Sequence, residues 1–241
     1  MKPVLIIRTG RAPDPIRARH GDFPHWFRLG AQLAPERVRV VDVAAGETLP
    51  PPGEVAGALI TGSAAMVTER AAWSERTAGW IRDAMDLELP LFGVCYGHQL
   101  MAHALGGRVD YLPGGREIGT MLIRVAEHAK NDAVASTLPA SFRAHTTHEQ
   151  SVLELPKEAT VLAGSERDPH HLLRYGKNAV SVQFHPEFNA DVMRAYIHRK
   201  RADMHREGFD PHHTFRQVAP TPIARRLMRY FSRHHGMAAL R

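Results

Sequence analysis

The sequence predicts an α/β protein: an open, mixed but mainly parallel sheet with helices on both faces, followed by a C-terminal helical extension. Three observations carry this. Short β-branched runs alternate with segments of helical periodicity over the first hundred residues, the pattern that parallel crossovers produce. Around Cys95 an apolar strand runs through a small-residue turn directly into helix-forming residues. From residue 109 to 182, short apolar runs are separated by Gly, Pro, Asn and Asp, which reads as a mostly antiparallel extension of the sheet.

Residues 4–7, 38–43 and 58–61 read as the first three strands, with a helix over 25–33 between the first two. Three prolines and two glycines make 44–54 a loop. Trp73, Thr77, Trp80, Ile81 and Ala84 recur at helical spacing, and Pro90 closes that segment before a buried-looking strand at 91–94. The later apolar runs lie at 121–125, 152–155, 160–162, 172–174 and 180–184. In 220–231, Thr221 is expected to cap a helix, with Pro222 at its first position and Ile223, Leu227 and Phe231 on one face.

With 241 residues, 44% hydrophobic and 23% charged, the chain is an ordinary globular protein rather than a disordered one. The expected organisation is one domain over 1–190 and a basic helical extension over 191–241 packed on it. No apolar stretch nears the ~18 residues of a membrane span, and the first apolar run is too short for a signal-peptide core. A single cysteine excludes an intrachain disulfide and fits a reducing cytoplasm. Any cysteine chemistry must then fall to Cys95. The net charge of +6 is uneven: residues 191–241 hold eleven Lys/Arg against four Asp/Glu, or +7, leaving −1 for the rest. Such a segment is either a surface for nucleic acid or an acidic partner, or the solvated side of two amphipathic helices. The interleaving of basic with apolar residues favours the second, so neither nucleic acid nor membrane is expected as a partner.

Leu91-Phe92-Gly93-Val94-Cys95-Tyr96-Gly97-His98-Gln99 is the cysteine form of a nucleophile elbow. Small residues on either side allow a sharp turn that holds the sulfur at the carboxyl end of a strand and the amino end of a helix. The helix terminus favours a thiolate. A thiolate attacking an amide needs a proton shuttle, usually histidine. Among 16 histidines, one follows a hydrophobic strand within Val182-Gln183-Phe184-His185-Pro186-Glu187. Residues two apart in an extended segment project to the same side, so Glu187 can orient the His185 imidazole.

The elbow, followed 90 residues later by Phe-His-Pro-Glu, resembles the class I (triad-type) glutamine amidotransferases over most of residues 1–190. The likeness extends to stand-alone proteins similar to the amidotransferase domain of GMP synthase. It implies a flavodoxin-like open α/β sheet and hydrolysis of the glutamine side-chain amide through a γ-glutamyl thioester, by a Cys95, His185 and Glu187 triad and without cofactor. The ammonia would supply a synthetase partner. By the same resemblance, Leu59-Ile60-Thr61-Gly62-Ser63 corresponds to the oxyanion loop, so the backbone N–H groups of Gly62 and Tyr96 would face the tetrahedral oxyanion. Gly115-Arg116-Glu117-Ile118-Gly119 matches a structural turn of the family. Gln99 and the Thr147-His148-Glu149-Gln150 segment match its substrate side, which makes Gln99, His148 and Gln150 the expected substrate contacts.

Two positions depart from the family's pattern. Ser63 follows Gly62 where many relatives pair glycines, and Gln150 replaces an aspartate that would meet the substrate ammonium. A neutral amide loses the charge-assisted part of that contact. The same triad would also serve a γ-glutamyl peptidase acting on glutathione-like amides, and a non-catalytic relative that kept the elbow cysteine is a third reading. The paired and closely spaced histidines come without Cys pairs or a His-Glu-x-x-His helix, so no metal site is expected. No P-loop sequence is present.

Overall fold

The computed structural model describes residues 2–238. Its strands are β1 (Val4–Arg8), β2 (Val38–Asp42), β3 (Gly57–Ile60), β4 (Leu91–Val94), β5 (Arg108–Tyr111), β6 (Glu117–Val125), β7 (Ser141–His148), β8 (Gln150–Glu154), β9 (Ala159–Gly164), β10 (Leu172–Tyr175) and β11 (Ala179–Val182). The helices are α1 (Asp14–His20), α2 (Phe23–Gly30), α3 (Ala72–Asp86), α4 (Tyr96–Ala104), α5 (Ala190–Arg206), α6 (Pro211–Arg216) and α7 (Pro222–His234).

The main sheet runs β2-β1-β3-β4-β11-β10-β9-β6-β7. Its first five strands are mutually parallel, and the remainder continue antiparallel. Successive side chains of a strand face opposite sides, and the two cores follow that alternation. Val4, Ile6, Phe92 and Val182 pack with Phe27, Ile197, Leu227 and Phe231 from α2, α5 and α7. Leu5, Ile7, Leu91 and Ala179 pack with Ala78, Ile81, Leu100 and Met101 from α3 and α4. Strands buried on both faces read as continuous apolar runs, which is why β1 and β4 are legible in the sequence.

Several elements differ from the sequence reading. The first long helix begins at Phe23 because the Asp22 carboxylate accepts its N–H at 2.9 Å, and it ends at Gly30. The 150–154 strand leaves the main sheet and pairs with β5 in a separate ribbon. β7 is an added strand: its Phe142 and Ala144 are followed by buried His145, Thr146 and His148, so hydrophobic alternation fails to mark it. A third C-terminal helix, α6, is capped by Asp210, which accepts N–H groups of His212 and His213. Thr221 stands at the N-cap of α7 with Pro222 next, yet its side chain makes no capping hydrogen bond.

The C-terminal helices belong to the same core. Val192, Met193, Ile197, Leu227 and Phe231 are at most 1% exposed. Burying each such side chain contributes about 1.5–3 kcal/mol. A bidentate pair from Arg116 to Glu207, at 2.5 and 2.6 Å, ties the end of α5 to the start of β6. No described helix is long and apolar enough to cross a membrane.

Candidate active site

β4 delivers the chain to Cys95, whose φ of 52° and ψ of −103° lie in a region that non-glycine residues rarely occupy. Such a conformation costs on the order of 1–3 kcal/mol and survives only where its surroundings enforce it. The Cys95 N–H donates to Val182 O at 2.9 Å, and the Gly97 N–H to Thr61 O at 3.1 Å. A Cβ added at Gly93 would lie 2.6 Å from Gly97 O, and one at Gly97 would lie 2.5 Å from Ile60 O. The flanking glycines are required by this close packing of turn against strand. Cys95 is the N-cap of α4, where first-turn N–H groups lack helical partners and favour negative charge.

His185 follows β11. Its backbone N–H donates to His145 O at 2.8 Å, and its Nδ1–H donates to Glu187 Oε1 at 2.7 Å. Its ring stacks on Phe188 at 4.1 Å and 13°, and Phe188 stacks on Tyr196 of α5 at 5.0 Å. Glu187 and aromatic packing thus fix the imidazole plane and tautomer, leaving Nε2 without a hydrogen-bond partner. Cys95 and His185 line the same cavity, of about 270 Å³. Burial pushes the Cys95 thiol up, but the positive His185 outweighs it and holds the thiol below its ordinary value. Burial would lower His185, but the Glu187 carboxylate and the Cys95 sulfur outweigh that and hold it raised. The two directions agree on a thiolate–imidazolium pair.

Gly62 adjoins both groups: an added Cβ there would lie 3.2 Å from His185 Cε1 and 3.6 Å from Cys95 Cβ. Tyr96 is the first residue of α4, and its hydroxyl turns away to Ser74 Oγ at 2.7 Å. Gln99, His148 and Gln150 are not among the residues that line this cavity. The Gln99 side-chain amide donates to Gln150 O at 2.6 Å and to Gln183 Oε1 at 3.0 Å. Gln150 Nε2 donates to Thr68 Oγ1 at 2.6 Å. From the same stretch of chain it is Thr147, in β7, that reaches the cavity, with its carbonyl 3.9 Å from Cys95 Sγ. Tyr196, Arg199, Lys200 and Asp203 of α5 also line the cavity. The positive charge of 191–241 is plain in the sequence, but nothing local marks α5 as a wall of the site.

His148 belongs to a second polar group. Glu117 Oε2 lies 3.1 Å from His148 Nε2 and 2.8 Å from His171 Nε2, and Ser165 Oγ donates to Glu117 Oε1 at 2.6 Å. Glu117, His148 and His171 are 2%, 5% and 0% exposed. Despite burial, the two imidazoles hold the Glu117 carboxyl far below the usual carboxylate range. Among the described residues this is also the group with metal-ligand chemistry, its donor atoms lying within 4.8 Å of one another. Here those atoms satisfy each other.

Comparison with known proteins bears on the family and the fold. The family model described as glutamine amidotransferase class-I matches residues 37–203. Gamma-glutamyl peptidase 5 of Arabidopsis thaliana is 29% identical over 53% of this chain and 51% of its own length. A glutamine-hydrolyzing GMP synthase of Aeropyrum pernix is 33% identical over 60% of this chain and 26% of its own length. The chain thus spans about half the length of the first of these relatives and about a quarter of the second. A solved glutamine amidotransferase of Thermotoga maritima superposes with a TM-score of 0.76 at 24% identity, covering 97% of each chain. The fold and the family match lead to one conclusion: the chain belongs to the class-I glutamine amidotransferase family.

Proposed function

We propose that this chain hydrolyses the side-chain amide of glutamine, or of another γ-glutamyl amide, through Cys95, His185 and Glu187. The observation that carries the reading is the strained Cys95 at the head of α4, sharing a cavity with a buried imidazole that a buried carboxylate holds from behind. The Cys95 thiolate attacks the amide carbon, and the carbonyl electrons move to oxygen, where the Gly62 and Tyr96 N–H groups serve as donors. The His185 imidazolium gives its Nε2 proton to the departing nitrogen, the C–N bond breaks, and a γ-glutamyl thioester remains. His185, now neutral, takes a proton from water as that water attacks the thioester. Collapse releases glutamate and regenerates the thiolate. Glu187 orients His185 and stabilises its charge without itself taking the proton.

With glutamine the released amine is ammonia, available to a synthetase partner that activates an acceptor; with a γ-glutamyl peptide it is an amino acid or peptide. Release of ammonia or amine from glutamine, asparagine and γ-glutamyl dipeptides tests the reading. Turnover of γ-glutamyl substrates that disappears in Cys95→Ala supports it. Undiminished turnover in Cys95→Ala refutes it.

A further inference from the structure

The catalytic cavity has more positive charge than glutamine calls for. Besides Cys95 and His185 it is lined by Arg11, Arg199 and Lys200, with one carboxylate, Asp203. Most of these charges are already answered. Arg11 meets Asp42 at 3.0 Å, Lys200 meets Glu149 at 3.0 Å, and Asp203 pairs with Arg206. Arg199 is exposed and has no ion pair among the described residues.

Arg199 is also a wall of a second cavity, of about 640 Å³, in the groove where α1 packs on α5. Ile16, Arg19, Asp191, Arg194 and Phe215 contribute to it. Arg194 is engaged by Asp191 at 3.2 Å and by Val218 O at 3.1 Å. Arg19, exposed like Arg199, has no ion pair among the described residues. Two unneutralised guanidinium groups therefore stand along a partly apolar groove that meets the catalytic cavity at Arg199.

Cys95 and His185, at 6% and 2% exposure, form the floor, so a scissile amide carbon must sit deep. Ammonia as leaving group needs nothing beyond that point. A larger amine must extend outward along the cavity wall, one side of which is α5 with Arg199. Glutamine at neutral pH carries no net charge, whereas a γ-glutamyl amino acid or peptide carries one further carboxylate, on the amine side. A guanidinium fork matches that group in charge and shape.

On the reading of the site given above, we propose that the α1–α5 groove is an amine-side subsite for γ-glutamyl amino acids and short γ-glutamyl peptides. Arg199, supported by Arg19, holds the free carboxylate of the departing amine. The basic helix α5 thereby sets substrate class.

Binding to the Cys95→Ala protein, measured by titration calorimetry, isolates the subsite from chemistry. γ-Glutamylglycine is expected to bind about tenfold more tightly than γ-glutamylglycinamide, as one charge-assisted contact implies. Adding Arg199→Ala should bring that ratio close to one, Arg199→Lys should keep part of it, and Arg19→Ala should reduce it about threefold. Equal binding of acid and amide, or an equal loss for both in Arg199→Ala, overturns the proposal. Turnover is measured in parallel with Cys95 intact. Acid-selective binding without turnover of either substrate would retain the subsite and reject the hydrolysis; turnover without acid selectivity would do the reverse.

Discussion

Two buried histidine–glutamate assemblies lie among the described residues, and only one of them borders the cavity that Cys95 lines. His185 and Glu187 are two residues apart, bonded at 2.7 Å, and His185 lines the catalytic cavity with its Nε2 unpartnered. Glu117, His148 and His171 come from distant parts of the chain, bond at 3.1 and 2.8 Å, and lie outside that lining. In the first, one nitrogen is tied and the other is left open; in the second, each facing nitrogen is spent on the carboxylate. On the function proposed above, similar burial and partners therefore serve different roles, a proton shuttle in the first and an internal brace in the second. What separates them is an unspent Nε2 on a ring that shares its cavity with Cys95.

The contrast can be broken by mutation. Cys95→Ala should abolish turnover, and His185→Asn should lower kcat about a thousandfold or more. Glu187→Gln should be milder, about a hundredfold, since Glu187 orients the base without carrying the proton. If Glu187→Gln proved worse than His185→Asn in steady-state kinetics, these roles would be wrong.

Glu117→Gln should act chiefly on stability. Removing the charge opposite two buried imidazoles is expected to cost about 3 kcal/mol in denaturant unfolding, with kcat of the folded fraction falling less than tenfold. A stable but inactive Glu117→Gln would make the brace part of the chemistry. Because the folded state depresses the Glu117 pKa, its contribution is complete above the ordinary carboxyl value of about 4.3 and is lost as pH falls towards the folded value. Unfolding of the wild type between about pH 5 and 2 should therefore steepen relative to Glu117→Gln.

A smaller effect sharpens the catalytic pair. The pH midpoint for alkylation of Cys95 should lie below the ordinary thiol value of about 8.5. His185→Asn should move it upward, since burial is then opposed only by the weaker influence of His148. An unchanged midpoint would mean that the two groups do not share charge. Least affected should be nucleic-acid affinity. Buried apolar residues of α7 face the core while Arg226 and Arg233 are exposed, so binding of DNA or RNA should vanish near 150 mM salt in a fluorescence titration.

The same contrast explains what can be read from the sequence. The elbow and the His-Pro-Glu end are short-range constructions, so glycine spacing marks Cys95 and strand parity pairs Glu187 with His185. The meeting of the two across 90 residues is implied only by the family resemblance. The brace depends on register: Glu117 lies directly opposite His148 across β6 and β7, and His171 arrives 54 residues from Glu117. Neither β7, with its run of buried polar residues, nor the docking of α5 has a local signature. That is why Tyr196 and Arg199 are absent from the expected site; Gln99 and Gln150, expected there by resemblance, hydrogen-bond to Gln150 O, Gln183 and Thr68 in this structure.

The central claim is that Cys95 is a thiolate nucleophile activated by His185 toward γ-glutamyl groups. A glutamine-analogue electrophile, with intact-protein and peptide mass spectrometry, tests it most directly. One adduct should form, on Cys95, protected by a γ-glutamyl substrate and slowed about a hundredfold or more in His185→Asn. No adduct on Cys95, or labelling at the wild-type rate in His185→Asn, would contradict the claim.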